Sequence, residues 1–274
     1  MKCRILLLLV AAILMTKAVV QAAPTELKAK HPAISQGLSV PILLYHRFGP
    51  TVADSMTITD TNFEDHLKYL KDNGYKVIPL RQLVSYVRGK GPEPVPKSVV
   101  IVADDGHKSI YSDMFPLVKK YNIPVTLFIY PSCISNAKYA LTWDQLRKLQ
   151  STGLFEVQSH TYYHPNFRNE KKKLSPAAYQ KFVDYQLKHS KERLEKEMGR
   201  PIEYLAWPFG IIDDALFVSA RKAGYIATFT IVAKPVKNGD DPMRLPRFLL
   251  PNGSAARILA SHIAPGNAVA KGKK

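Results

Sequence analysis

The chain is expected to fold as an α/β protein, a parallel sheet with helices outside it, and three observations lead there. Short runs of β-branched and aromatic residues alternate with segments of helical period along the 274 residues, the pattern of parallel strands joined by helical crossovers. Asp104, His160 and Pro208 each fall just beyond such a run, where barrels of βα units carry their chemistry. No stretch repeats, and 46% hydrophobic residues suffice for one large core without staples. A curled βα barrel and an open doubly wound sheet both satisfy this periodicity.

The elements follow in order. Pro41-Ile-Leu-Leu-Tyr-His46 makes a short apolar strand that ends in His46. Residues 62–73 form a helix with Phe63, Leu67 and Leu70 on one face, closed by Gly74; residues 75–80 are strand-like and 82–87 a short helix. A Gly/Pro/Lys loop over 89–96 leads into the central strand, 99–103, too short and too β-prone for a core helix. Residues 111–121 form a helix that Pro124 cannot continue, 125–129 a strand, 143–150 a helix ending near Gly153, and 154–157 a strand. The longest helix is 176–198, with Ser175 as N-cap, Leu174 placed to staple against Tyr179, and Gly199-Arg-Pro201 as its stop. Tyr179, Phe182, Val183, Leu187, Leu194 and Met198 make its core stripe. A helix over 216–223 and a strand over 225–232 complete the series.

Three short segments carry chemistry. The central strand delivers Asp104 and Asp105 into a turn at Gly106, and adjacent carboxylates repel, so a cation or a reaction has to offset their juxtaposition. Alone, Asp-Gly reads first as the chemistry of a solvated turn. In Ser159-His-Thr-Tyr-Tyr-His-Pro165, His160 and His164 are four apart, a spacing that can set both imidazoles on one side of a helical turn for a single metal. Joined to Asp-Asp-Gly they form a two-histidine, one-carboxylate set with an open position, the arrangement of a hydrolytic metal centre. Sequence alone does not tell which aspartate is the ligand. Such a set suits Zn best, with Co or Ni as alternatives. Leu205-Ala-Trp-Pro-Phe-Gly210 is the third segment, and the aromatic faces of Trp207 and Tyr162, near the other site residues in sequence, could pack on pyranose rings.

In this order, Asp-Asp-Gly, His-Thr-x-x-His and Pro-Phe-Gly resemble the first three motifs of the polysaccharide deacetylase family (NodB homology, carbohydrate esterase family four). The resemblance runs from about Pro41 to Phe248, with further agreement at residues 123–129 and 141–146. It implies a distorted, incomplete (β/α) barrel and metal-dependent de-N-acetylation of an acetylated amino-sugar polymer with release of acetate. It also implies Asp105, His160 and His164 as metal ligands, Asp104 as base and the Phe209 N–H as oxyanion donor. Two departures stand out. Ala206 occupies the place of the family's usual arginine two residues before the proline, and no clear C-terminal Leu-His motif is present, His262 lying in a different setting. Both departures, together with Leu44-Tyr-His-Arg47 and Arg244-Leu-Pro-Arg-Phe248, resemble the branch acting on poly-β-1,6-N-acetylglucosamine. There an N-terminal histidine is the acid, here His46, whose strand end would lie on the same rim as Asp104. The arginines of 244–248 receive no role from sequence. A peptidoglycan or chitin-type deacetylase, or a non-catalytic sugar-binding relative, are the alternatives.

The N-terminal residues imply export. Lys2 and Arg4 precede an apolar run over 5–15 and a small-residue cleavage site, Val20-Gln-Ala22; the run falls short of the roughly 20 residues a spanning helix needs. We therefore expect a signal peptide over 1–22, an extended arm over 23–40 and the deacetylase domain over 41–274, with no transmembrane helix once the signal is removed. The product would be periplasmic or secreted and cell-surface associated. Loss of Cys3 with the signal leaves Cys133 alone, a small apolar filler. The formal charge of +17 drops by Lys2, Arg4 and Lys17 to +14. Lysine and arginine are spread without a nucleic-acid motif, so nucleic acid is excluded as partner; an anionic envelope surface fits this charge, and simple solubility fits it equally.

Overall fold

The computed structural model describes residues 39–263. The expected signal, almost all of the arm and the basic C-terminal tail lie outside the described residues. One sheet of eight parallel strands organises the rest. Its order is β10 (Ala227–Phe229), β9 (Tyr204–Ala206), β8 (Phe155–Ser159), β7 (Val125–Ile129), β6 (Ser98–Asp104), β2 (Ile42–Tyr45), β12 (Phe248–Leu249), with β5 (Lys76–Val77) beside the start of β6. Two small ribbons flank it: β1 (Ser39–Val40) antiparallel to β11 (Val236–Lys237), and β3 (Arg47–Gly49) parallel to β4 (Thr57–Thr59).

Helices decide between the two architectures. Successive strand residues face opposite sides, and along β6 Val99, Ile101 and Ala103 enter one core while Val100 and Val102 enter another. The first core takes in α1 (Asp60–Asp72), α3 (Phe115–Tyr121), α4 (Trp143–Ser151), α5 (Phe167–Lys173), α6 (Pro176–Met198), α7 (Asp214–Lys222) and α8 (Ala255–Ile263). The second holds strand residues such as Leu44, Phe128, Ala206 and Phe229, and among helices only α2 (Leu80–Val87). A doubly wound sheet has helices on both faces; here one face is turned inward on itself, as in a distorted, incomplete barrel.

The segment 245–249 brings the curled edges together. Leu245 bridges to Phe229 on β10, and three residues later Phe248 and Leu249 pair with Leu43 and Leu44 of β2. Extending each strand's inward alternation by one step places His46 after Leu44, Asp104 after Val102, His160 after Gln158 and Arg247 after Leu245. The site is thus the upper edge of the inner core.

Most expected elements are present with boundaries moved by one or two residues, and α6 begins and ends as read, capped by Ser175 at one end and left-handed Gly199 at the other. The helix expected over 111–121 opens instead with a π turn, Ile110–Met114, before α3, because Pro116 has no N–H to return to the preceding turn.

Candidate metal centre and base

Asp105 follows β6 in the left-handed region, φ 72°, and Gly106 continues there at φ 76°. A Cβ on Gly106 would come within 2.9 Å of Ile129 Cδ1, so glycine is required at this turn. Across from it, the loop after β8 is not a helical turn, contrary to the expectation from the four-residue spacing. Thr161 (φ 66°) and His164 (φ 58°) are both left-handed, and these two reversals bring the imidazoles together at 4.7 Å between ring centroids.

The result is a compact donor set. Asp105 Oδ1 lies 3.6 Å from His160 Nε2 and 3.5 Å from His164 Nε2, and one donor atom from each of the three residues falls within 4.8 Å of the others. His160 Nδ1 is 2.7 Å from Ala206 O, a carbonyl that can only accept; the ring proton is therefore on Nδ1 and the Nε2 lone pair faces the carboxylates. Burial pushes His160 down to about 3 and also lowers His164, keeping both imidazoles neutral at ordinary pH. Burial raises Asp105, and the charge of Asp104 adds to the rise; its Oδ1 is buried without a hydrogen-bond partner. Two imidazole lone pairs and a bare carboxylate oxygen converging in a buried pocket fit a divalent cation.

Asp104 is held differently. Its side chain is 2% exposed and that of Arg247 is 0% exposed, with Arg247 Nη1 donating to Asp104 Oδ1 at 2.8 Å. Arg247 Nε donates to Thr230 O at 3.0 Å, and the guanidinium carbon lies 5.4 Å from the Phe128 ring centroid. Burial works to raise the Asp104 carboxyl, but Arg247, with His160 and His46 behind it, outweighs burial and holds it below the usual carboxylate range. Arg247 thus reaches from the closing segment the carboxylate left without an arginine at Ala206. Sequence reasoning had no role for it. The available signal was a single arginine inside Leu245-Pro-Arg-Phe-Leu-Leu250, an apolar run in which a charge can be buried only with a partner.

His46 sits at the inner rim beyond β2, its Nδ1 buried and unpartnered; burial lowers its pKa against the raising fields of Asp104 and Asp105. Phe209 is left-handed (φ 57°) in the Pro208–Gly210 turn, 57% exposed as a residue, with its ring 4.7 Å from that of His164. Trp207 corrects an expectation. Its side chain faces the helix layer, 0% exposed and edge-on to Phe167 and Phe217, where no sugar can reach it. The alternation accounts for this: Ala206 points inward, so Trp207 points out. Tyr162 is half-buried and turns its ring toward Tyr185 and His189 of α6 rather than over the donor set. The aromatic wall beside the donors was not foreseen: Tyr130 lies 5.3 Å from the His164 ring and hydrogen-bonds Tyr139, itself 45% exposed. His262 stands on α8, edge-on to Phe248.

The polysaccharide deacetylase family model matches residues 91–228, which takes in both donor segments and the Pro-Phe-Gly turn. A poly-beta-1,6-N-acetyl-D-glucosamine N-deacetylase of Staphylococcus epidermidis is 31% identical over 209 residues, 74% of this chain and 71% of that protein. Among solved structures, IcaB from Ammonifex degensii superposes with a TM-score of 0.70 at 26% identity, covering 78% of this chain and 93% of that one. The Streptococcus pyogenes deacetylase PplD, solved with acetate, has a TM-score of 0.74 at 22% identity over 84% of this chain and all of that one, a likeness of fold alone. His46 and Arg247 fall outside the family model's span.

Proposed function

Because this chain belongs to the polysaccharide deacetylase family, we propose that it removes N-acetyl groups from an N-acetylglucosamine polymer, poly-β-1,6-N-acetylglucosamine before others, releasing acetate. The observation that carries the reading is the convergence of Asp105, His160 and His164 beside an aspartate kept ionised by a buried arginine. Asp105, His160 and His164 would hold one divalent metal, Zn by preference, with Co or Ni also suited to the set. Such an ion polarises an amide carbonyl and lowers the pKa of a water from about 16 toward about 7.

The chain's own groups do the remaining work. Asp104, ionised and within 3.6 Å of His160 Nε2, takes the proton of the attacking water as oxygen bonds to the acetyl carbon. The N–H of Phe209 is the donor we assign to the oxyanion. His46 gives a proton to the amine as the C–N bond breaks, and the proton that Asp104 took from the water makes good that loss. Acetate and the free amino sugar leave. The expected signal supports export to the periplasm or cell surface, where the strongly basic composition suits an anionic envelope surface as a neighbour. No helix among the described residues is long and apolar enough to cross a membrane.

The test is acetate release from β-1,6- and β-1,4-linked N-acetylglucosamine oligomers by Zn-, Co- and Ni-loaded protein. Faster turnover of the β-1,4 series would reject the preferred glycan, and no release from either series under any metal would reject the reaction.

A further inference from the structure

The loop that carries both histidines is strained, with Thr161 and His164 left-handed, and β-branched Thr161 is costly there. Such conformations persist only where surrounding contacts over-determine them. The contacts come from α6. Gln186, completely buried, accepts the N–H groups of Tyr162 (3.2 Å) and Tyr163 (3.1 Å) on one oxygen, Oε1. One turn further along the helix, Ser190 Oγ lies 2.8 Å from Ser159 Oγ, which accepts the Thr161 N–H at 3.2 Å and is 2.9 Å from the Tyr225 hydroxyl. Gln186 and Ser190 interrupt the apolar stripe of Tyr179, Val183, Leu187 and Leu194, a cost that packing alone does not explain.

We propose that Gln186 is a positioning residue for the metal centre: by clamping the two amides between His160 and His164 it sets the separation of their Nε2 atoms without itself reaching the metal. The inference rests on the metal-site assignment above. Its consequence is that metal affinity depends on a helix residue outside the ligand set. Groups that orient ligands typically contribute 10–100-fold to metal affinity.

The experiment strips the full-length mature protein with a chelator and titrates it with Co²⁺, reading the visible absorption and the dissociation constant by chelator competition. If the parent protein takes up no stoichiometric Co²⁺, the metal-site reading itself fails, an outcome distinct from those that follow. Gln186→Asn withdraws the acceptor by one methylene, Gln186→Leu removes it, and Gln186→Glu restores it. The expected result is 10–100-fold weaker Co²⁺ binding with an altered spectrum for Asn and Leu, and recovery to within a few-fold for Glu. Val183→Ala, on the same helix face, controls for packing and should lower thermal stability while leaving Co²⁺ affinity unchanged. Parent-like affinity in folded Gln186→Asn, or equal loss in Val183→Ala, overturns the proposal; should Gln186→Leu not fold, Gln186→Asn decides.

Discussion

Replacing Arg247 by Met tests the electrostatics of Asp104, the proposed base, directly. Both partners are buried and 2.8 Å apart, so the relevant scale is that of an internal pair losing one member, roughly 3–5 kcal/mol, and not the 0–1 kcal/mol of a surface salt bridge. The lost hydrogen bond to Thr230 O adds about 1 kcal/mol that does not depend on pH. The remainder does. In the parent the Asp104 carboxyl is held low, so its contribution to stability is present above its unfolded pKa of about 3.9 and fades as pH falls through the folded value. In Arg247→Met burial acts without the guanidinium, the carboxyl moves up, and the variant loses stability as pH rises above about 4. Thermal melts of chelator-treated protein should therefore separate by about 6–20 °C near pH 7 and converge toward pH 4. Adding Asp104→Asn to Arg247→Met should recover much of the loss, since no charge is then left alone. A deficit that is constant from pH 4 to 8 and unrelieved by Asp104→Asn would refute the account.

Three further outcomes follow from the same geometry. His160→Ala and His164→Ala should abolish retention of metal measured by elemental analysis, whereas Asp104→Asn should retain metal and lose turnover; loss of metal from Asp104→Asn but not from Asp105→Asn would exchange the roles of the two carboxylates. His46→Ala should lower kcat by about 10² to 10⁴ with metal content intact, and His262→Ala, which removes a ring packed on Phe248 and its local hydrogen bonds to Ser261 and Ile258, should change kcat little; the opposite pattern would move the acid to the C-terminal helix. His160 is pushed down to about 3, below its unfolded value of about 6.5, so metal-free protein should lose up to about 1.4 kcal/mol per pH unit between those values as the unfolded chain takes up a proton the folded one refuses. Urea titrations of His160→Gln should show a correspondingly shallower slope, and an unchanged slope would mean the folded ring protonates freely.

Much of this was readable because it is local. The runs that became β6, β7 and β8 announce themselves by composition, and α6 by its period, its cap and its stop. Residues that act through distant partners were not legible. Arg247 meets Asp104 across 143 positions of chain, a contact made by curling the sheet and not by any spacing in the sequence. The imidazoles were expected on a helical turn because i, i+4 is a helical interval, yet β8 runs on through Ser159 and the loop reaches the same convergence through left-handed residues. Trp207 was misread for a related reason: proximity in sequence to the Pro-Phe-Gly turn says nothing about which side of a three-residue strand the ring leaves. α8 escaped notice behind Pro-Asn-Gly-Ser, although Ala255, Ile258, Leu259 and Ile263 carry a helical period that α1 buries. α5 has only Phe167 turned inward and so no pattern to read.

The segment that draws the sheet's edges together is also among the last parts of the described chain to be synthesised. A polypeptide emerging N-terminus first has every proposed metal donor by residue 164, but the guanidinium that keeps the proposed base ionised arrives only with residue 247. A folding intermediate, or a fragment ending before Leu245, could therefore bind metal and still be a poor hydrolase, its aspartate tending to hold a proton in a half-formed pocket. On this reading chemical competence would be tied to completion of the barrel, and a partly made enzyme would be silent for electrostatic reasons rather than for want of ligands.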